Sequence, residues 1–361
     1  MITMELLGKI ERLYFRDKKS LHDIAKYTGL SRNTIRKWVR THHTPISLKP
    51  MTRFERVRVS GELGQLQLHS AIIIIASAGE DGMRVFGRVR QHGIVNASTY
   101  LLGRFRVVRK ASRLIRSALN GNQPTLTEEE SLVGPFLTDD ALTILGRDGV
   151  YLGLQLKPDT LALLQAFASN AERRVAHGDR QIATDETLGT LDACGQPAVI
   201  INYLSPELHA LTEQVANDPQ LLAVVTRHLG SSPRAVQIKV HESRVTNATT
   251  DYREACMQTV MFHYDVHALN FVYVFFYLTD VDQSSGAHEL ILGTHSNKRL
   301  AHLFSGARKT DDEIYGSYGG RSRSLVICGL AGTGFIEDTS CFHRALAPVK
   351  RPRLALQIRY S

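Results

Sequence analysis

The spacing of apolar and polar positions changes several times along the chain, and each change marks an element. Over residues 3–16, Leu6, Leu7, Ile10, Leu13 and Tyr14 recur at helical spacing and share one stripe. Ser20 with Asp23 three residues on, followed by Leu21, Ile24 and Ala25, predicts a second, capped helix. Thr28-Gly29-Leu30 reads as a tight turn, with glycine where a positive φ is needed. Ser31 then caps a third helix to about Arg40, with Ile35, Trp38 and Val39 inward and Arg32, Asn33, Arg36, Lys37 and Arg40 outward. Residues 66–76 fit a strand and a buried helix equally well. From Tyr100 to Leu119 the pattern is helical again, with Leu101, Phe105, Val108, Ser112, Ile115 and Leu119 on one side.

In the second half the period shortens. Leu145–Leu154 reads as a turn plus a strand, and Pro158-Asp159 opens a helix running to Arg174. Residues 205–229 form two helical pieces joined at Asn217-Asp218-Pro219 and stopped by Gly230. Val236–Ser243 alternates strictly, a strand with one polar face. Asn270–Leu278 is a β-branched and aromatic strand, 280–288 a turn, and Arg353–Ile358 a closing strand. The class these elements predict is α+β, preceded by a small all-α unit.

Charge sharpens the division. Residues 1–58 hold 14 Lys and Arg against 5 Asp and Glu, which accounts for the whole net charge of +9. A basic end on an otherwise balanced chain points to a separate module with a polyanionic partner. Three short helices with a basic third one fit a helix-turn-helix whose Arg32, Asn33 and Arg36 meet base edges while Lys37 and Arg40 meet phosphates. A small basic bundle without a target fits the same pattern. The expected division is 1–45 helix-turn-helix, 46–137 linker and basic amphipathic region, and 138–361 a larger domain. Arg84–Arg116 carries nine basic residues and no acid, which suits a helix packed on a core, a membrane-surface helix or a second phosphate contact. Cys194, Cys256, Cys328 and Cys341 form no paired framework, as expected of reduced thiols in a cytoplasm. Glu5, Lys9 and Glu11 stand where a signal peptide would be apolar, and the longest apolar run, Ala71–Ala76, is too short to span a bilayer.

The candidate chemistry sits in Phe262-His263-Tyr264-Asp265-Val266-His267. In an extended strand, residues two apart share a face, so His263 and Asp265 project together. A second histidine, His343, follows on another predicted strand. Two imidazoles and one carboxylate around an open site are the ligand set of non-haem Fe(II) oxygenases. His267 shares that face and is an alternative to His263. The competing reading of an H-x-D pair is an ordinary solvated strand.

The order of motifs that follows, His-Tyr-Asp at 263–265, Tyr-Leu-Thr-Asp-Val at 277–281, Ser-Gly-Ala-His at 285–288, Gly-Thr-His at 293–295, Asp338-Thr339 before His343, and an arginine ten residues past it, resembles the phytanoyl-CoA dioxygenase family of Fe(II)/2-oxoglutarate oxygenases. The resemblance covers about 140–361 and implies a double-stranded β-helix (jelly-roll, cupin-like). It implies His263, Asp265 and His343 as iron ligands, and Arg353 as the cation pairing the far carboxylate of 2-oxoglutarate, with dioxygen as the other co-substrate and a small organic molecule hydroxylated. Retention of Asp265 argues against halogenation, for which relatives carry a small residue there. Lys350 and Arg351 compete with Arg353, which is preferred because it begins the alternation and shares a face with Gln357. Gln258 and Thr294 are further candidates for hydrogen bonds to the co-substrate, His288 and His295 for structural or substrate-facing roles, and Asp338 for orienting the strand that carries His343.

Residues 1–45, above all Leu30-Ser31-Arg32-Asn33-Thr34-Ile35-Arg36-Lys37-Trp38, resemble the N-terminus of the large transposase protein of one bacterial insertion-sequence group. No acidic-triad catalytic domain follows, so the expectation is a DNA-binding head joined to an unrelated enzyme. A DNA-binding regulator or transposase remnant with a non-catalytic C-terminal domain is the alternative. A third reading, nucleic-acid demethylation, rests on Arg353 and Arg359 at R-x5-R spacing.

Overall fold

The computed structural model describes residues 20–28, 30–31, 34, 99, 101–120, 130–176, 181–182, 191–192, 195–305 and 308–361. The chain divides into two units, Met1–Gly64 and Gln65–Ser361. In the first, helix α1 spans Leu21–Thr28. Its start is set as the sequence predicts: Asp23 N–H donates to Ser20 Oγ at 3.2 Å and Ser20 Oγ–H to Asp23 Oδ2 at 2.7 Å. Thr34 N–H likewise donates to Ser31 Oγ at 3.1 Å. Arg32, Asn33, Arg36, Lys37 and Arg40, the helix expected over 3–16 and the apolar run 66–76 lie outside the described residues.

The second unit is a mixed helix and antiparallel-sheet structure. In chain order its elements are α2 (Arg106–Asn120), α3 (Thr138–Asp148), β1 (Val150–Gln155), α4 (Pro158–Ser169), β2 (Glu172–Val175), β3 (Gln181–Ile182) and β4 (Ile200–Leu204). Then come α5 (Pro206–Ala216), α6 (Pro219–Leu229), β5 (Val236–Ser243), α7 (Thr250–Ala255), β6 (Val272–Tyr277), β7 (His288–Ile291), α8 (Leu300–Phe304), α9 (Asp311–Ser317), β8 (Ser324–Ile327), β9 (Thr333–Glu337), β10 (His343–Ala345) and β11 (Arg353–Tyr360). Eight strands form a large sheet in the order β1-β9-β6-β11-β5-β4-β2-β3, and β10-β7-β8 form a small one.

Strand β6 lies inside the large sheet and is buried on both faces, which is why its sequence is a continuous apolar run. Val272, Val274 and Phe276 face a helical layer containing Leu145, Leu164, Leu211 and Leu221, together with Leu356, Ile358 and Tyr360 of β11. Tyr273, Phe275 and Tyr277 face the small sheet, where they meet Leu290 and Ile327, and pack with Phe335 of the neighbouring strand β9. Each fully buried large apolar side chain contributes about 1.5–3 kcal/mol. The layers are therefore helices, large sheet, small sheet, and the site lies between the sheets.

Several boundaries follow from identifiable residues. Asp218 caps α6 by accepting from Gln220 N–H at 2.9 Å and Leu221 N–H at 3.3 Å, with Pro219 at the first helical position, and Gly230 ends it at φ 79°. The helix expected to run from Pro158 to Arg174 stops at Ser169, because Glu172–Val175 pairs with β4 and ladder bonds outweigh local propensity. Residues 145–148, read as a turn, finish helix α3, which Gly149 closes at φ 84°.

Helix α2 keeps the first part of the predicted stripe and loses the second. Arg109 and Arg113 turn inward with Phe105, Val108 and Ser112, while Ile115 and Leu119 are 60% and 79% exposed. The cause is electrostatic. Arg109 Nη1 lies 3.1 Å from Asp338 Oδ1 and donates to Ser340 Oγ at 2.5 Å, and Arg113 Nη2 lies 3.4 Å from Asp338 Oδ2. A buried carboxylate requires such partners. Gly149 packs beneath the same loop. A β-carbon there would collide with Cys341 Sγ and His295, and the positive φ disfavours any other residue. Gly149→Ala is expected to cost at least about 2 kcal/mol in urea unfolding, and a change under about 0.5 kcal/mol would contradict this packing.

Candidate metal centre

The two histidines are opposed across a single bridge. His263 N–H donates to His343 C=O at 2.9 Å and His343 N–H to His263 C=O at 2.8 Å. The H-x-D segment is thus not a long strand, as its pattern suggested, but an extended stretch pinned to β10. Asp265 N–H donates to Thr339 C=O at 2.9 Å, which fixes the third residue. One ligand atom from each of His263, Asp265 and His343 lies within 4.8 Å of the others.

Both rings are oriented by the same device. His263 Nδ1 is 3.0 Å from Met261 O, and His343 Nδ1 is 3.0 Å from Cys341 O. An imidazole whose Nδ1–H faces a carbonyl presents its lone pair on Nε2, and His343 Nε2 is 3.8 Å from Asp265 Oδ2. Burial, helped by the His343 ring, pushes His263 down to about 3, so it is neutral at pH 7. Burial alone would raise the Asp265 carboxyl, but the hydrogen bond from His267 and the neighbouring imidazoles of His343 and His263 hold it below the usual carboxylate range. A neutral imidazole beside an ionised carboxylate is the protonation state metal binding requires. His267 touches that carboxylate from outside, Nε2 to Oδ2 at 3.5 Å, and is not in the group that converges.

A cavity of about 250 Å³ opens beside the three residues. Arg353 lines it and is 6% exposed. Its Nη1 donates to Gly286 C=O at 2.5 Å and its Nη2 to Ser243 Oγ at 3.4 Å, while its Nε is buried without a partner. Burial lowers its pKa, yet a guanidinium stays charged. No carboxylate pairs it among the described residues. Of its competitors, Arg351 is bonded to Asp282 and Lys350 is exposed outside the cavity.

Gln258 also lines the cavity, but its Oε1 accepts from Arg253 Nη1 at 2.6 Å. Thr294 lies off the cavity. Its hydroxyl donates to Ile291 C=O at 2.7 Å and accepts from Phe342 N–H at 2.8 Å, which steadies the residue before His343. His295 is held by Gly146 O at 3.1 Å, away from the centre. Asp338 organises the loop before His343: its Oδ1 accepts from Ser340 N–H at 3.1 Å, and its N–H donates to Gly149 C=O at 2.9 Å.

Two features were visible in the sequence, His288 as a candidate and the polar face of Val236–Ser243 as alternation, but their surroundings were not. His288 lines the cavity, stacks on His343 with ring centroids 5.3 Å apart, and lies 2.7 Å from the fully buried carboxyl of Glu337 without hydrogen-bond alignment. Burial pushes Glu337 up to about 8 and His288 down to about 3. At neutral pH this is an uncharged pair packed behind the His343 ring. The other is the inward face of β5, where Lys239, His241 and Ser243 line the cavity.

No family model matches the chain, and no curated protein matches it in sequence. Solved structures similar to it include the non-heme alpha ketoglutarate dependent epimerase SnoN from nogalamycin biosynthesis, at 16% identity and TM-score 0.42, covering 62% of this chain and 82% of that one. EvdO2 from Micromonospora carbonacea var. aurantiaca, complexed with 2-oxoglutarate, is similar at 13% identity and TM-score 0.43, covering 64% and 93%. EctD from S. alaskensis with bound Fe is similar at 18% identity and TM-score 0.41, covering 64% and 81%. Among the described residues, no helix is long and apolar enough to cross a membrane.

Proposed function

We propose that the chain is an Fe(II)/2-oxoglutarate-dependent dioxygenase that hydroxylates a small organic substrate, on a double-stranded β-helix of the phytanoyl-CoA dioxygenase type. The observation that carries this reading is the convergence of His263, Asp265 and His343, with both imidazoles held at Nδ1 by backbone carbonyls, which leaves each Nε2 for a metal. This donor set fits ferrous iron. The buried, carboxylate-free guanidinium of Arg353, with an unpartnered Nε, fits a dicarboxylic co-substrate. When bound, the iron supplies activation of dioxygen, with 2-oxoglutarate as the electron donor that leaves as succinate and carbon dioxide.

The chain's own residues do the rest. Met261 and Cys341 carbonyls hold the imidazoles in one tautomer. Asp265 supplies the negative charge. Arg353 anchors the far carboxylate, and Tyr273, Phe275 and Phe335 keep one wall of the cavity apolar. The test is succinate release by the full chain with Fe(II), 2-oxoglutarate and a small-molecule library. Iron-dependent release that Asp265→Ala removes is expected, and equal release by that variant would end the proposal.

Arg353→Met should raise the 2-oxoglutarate concentration for half-maximal succinate release about a hundredfold, with a smaller effect at saturation, since two charge-assisted hydrogen bonds are lost. An unchanged requirement would exclude Arg353 as the anchor. Residues 1–45 are proposed as a DNA-binding head acting through Arg32, Asn33, Arg36, Lys37 and Arg40. Support comes from the concentration of basic charge there and the serine caps at Ser20 and Ser31. Salt-dependent binding to duplex DNA tests it.

A further inference from the structure

Strands β5 and β11 form a ladder that crosses the cavity wall in three rungs. Ser243 pairs with Arg353, His241 with Ala355, and Lys239 with Gln357. All six residues line the cavity. The first rung belongs to the co-substrate in the reading proposed above. Along a strand, two residues span about 6.5–7 Å, so the Lys239 rung begins roughly 13 Å from the Arg353 rung. Beyond Gln357 the same wall continues to Tyr273, and Tyr273 and Asp265 line the same cavity.

The outer rungs carry polarity that nothing in the described residues answers. His241 is 8% exposed and its Nδ1 is buried without a hydrogen-bond partner. Ala355 opposite it is small, which leaves room beside the ring. Lys239 lines the cavity, is exposed, and forms no salt bridge among the described residues. Among the described residues lining the cavity, Asp265 is the only carboxylate. With a divalent ion on Asp265 and a dianionic co-substrate on Arg353, the formal charges of the inner site cancel. Lys239 is then left as an uncompensated positive charge. The charges of Lys239 and Arg353 add to burial in holding His241 neutral, so the imidazole is available as a hydrogen-bond partner rather than as a second cation.

We propose that Lys239 and His241 form an anion subsite for the substrate, and that the molecule oxidised here carries a carboxylate or phosphate group. This rests on the oxygenase reading of the centre. Lys239 would supply the charge, His241 an N–H, and Gln357 an amide N–H, while the rest of the substrate lies against Tyr273 and Phe275.

The test uses the full chain loaded with Mn(II) and 2-oxoglutarate, and two probes, acetate and inorganic phosphate, followed by 1H and 31P relaxation. The paramagnetic ion hastens relaxation of an anion held in the same cavity. Saturable relaxation of at least one probe is expected, and the probe that responds distinguishes carboxylate from phosphate. Lys239→Gln should weaken that probe about tenfold, the scale of one lost charge-assisted hydrogen bond, and leave 2-oxoglutarate affinity unchanged. His241→Phe should weaken it as well. The proposal is overturned by the absence of saturable relaxation, by equal relaxation in Lys239→Gln, or by loss of 2-oxoglutarate affinity in that variant, which would assign the rung to the co-substrate. Failure of 2-oxoglutarate to bind the Mn(II)-loaded wild type would instead overturn the oxygenase reading, and this inference with it.

Discussion

Replacing His343 by alanine is expected to lower iron-dependent succinate release by more than a hundredfold while leaving the far-UV circular dichroism unchanged. The two halves of this expectation have separate causes. The ring presents one of three converging ligand atoms, and even losing an outer partner of a metal ligand typically costs ten- to a hundredfold. The backbone bridge to His263 uses only main-chain atoms, so it survives the substitution. His267→Ala is the contrasting variant. Its ring meets Asp265 at 3.5 Å but stands outside the convergent group, so a smaller loss, about tenfold, the low end of the scale for an outer partner, is expected. If His267→Ala were the more damaging of the two, the ligand set would have to be redrawn around it.

The second large effect lies away from the cavity. Asp338→Ala should destabilise the second unit by about 3–5 kcal/mol, the cost of leaving a buried charge without its partner. Arg109 is 5% exposed and loses its carboxylate outright, and Arg113 loses a second contact. Urea unfolding measures the loss, and amide exchange should show residues 106–120 opening first. Burial alone would raise the Asp338 carboxyl, and the charges of Arg109 and Arg113 overcome this and hold it well below the usual carboxylate range. Its contribution is therefore complete above the unfolded value near pH 4 and falls away as pH drops through the folded one. A destabilisation under about 1 kcal/mol, or one independent of pH below 4, would mean that helix α2 is held by other contacts.

What could be read from the residues tracks the range of the forces involved. Caps and breaks act within four residues, so Asn217-Asp218-Pro219 and Gly230 mark the α5–α6 pair where the structure has it. Strict alternation identifies β5 and β11, and the continuous apolar run identifies β6. Helix α2 shows where local pattern fails. Its inward face is chosen by a carboxylate more than two hundred residues away, and no periodicity carries that information. The same holds for β2, where pairing with β4 ends a helix that composition would have continued.

The site divides in the same way. Spacing brings His263 and Asp265 to one face, and motif order adds His343 and Arg353. The carbonyls of Met261 and Cys341 that turn the two rings depend on the bridge, which is tertiary. Glu337 looks like an ordinary strand residue until its burial is known, and the sequence marks His288 without showing the carboxyl it packs against. The polar face of β5 is visible as alternation, but only its pairing with β11 shows that it looks into the cavity.

The most direct measurement is an anaerobic titration of the full chain with Fe(II) in the presence of 2-oxoglutarate, followed in the visible. A weak charge-transfer band should appear, saturate at one iron per chain, require 2-oxoglutarate, and vanish in His343→Ala. Absence of the band in the wild type, or its persistence in His343→Ala, would contradict the three-residue centre.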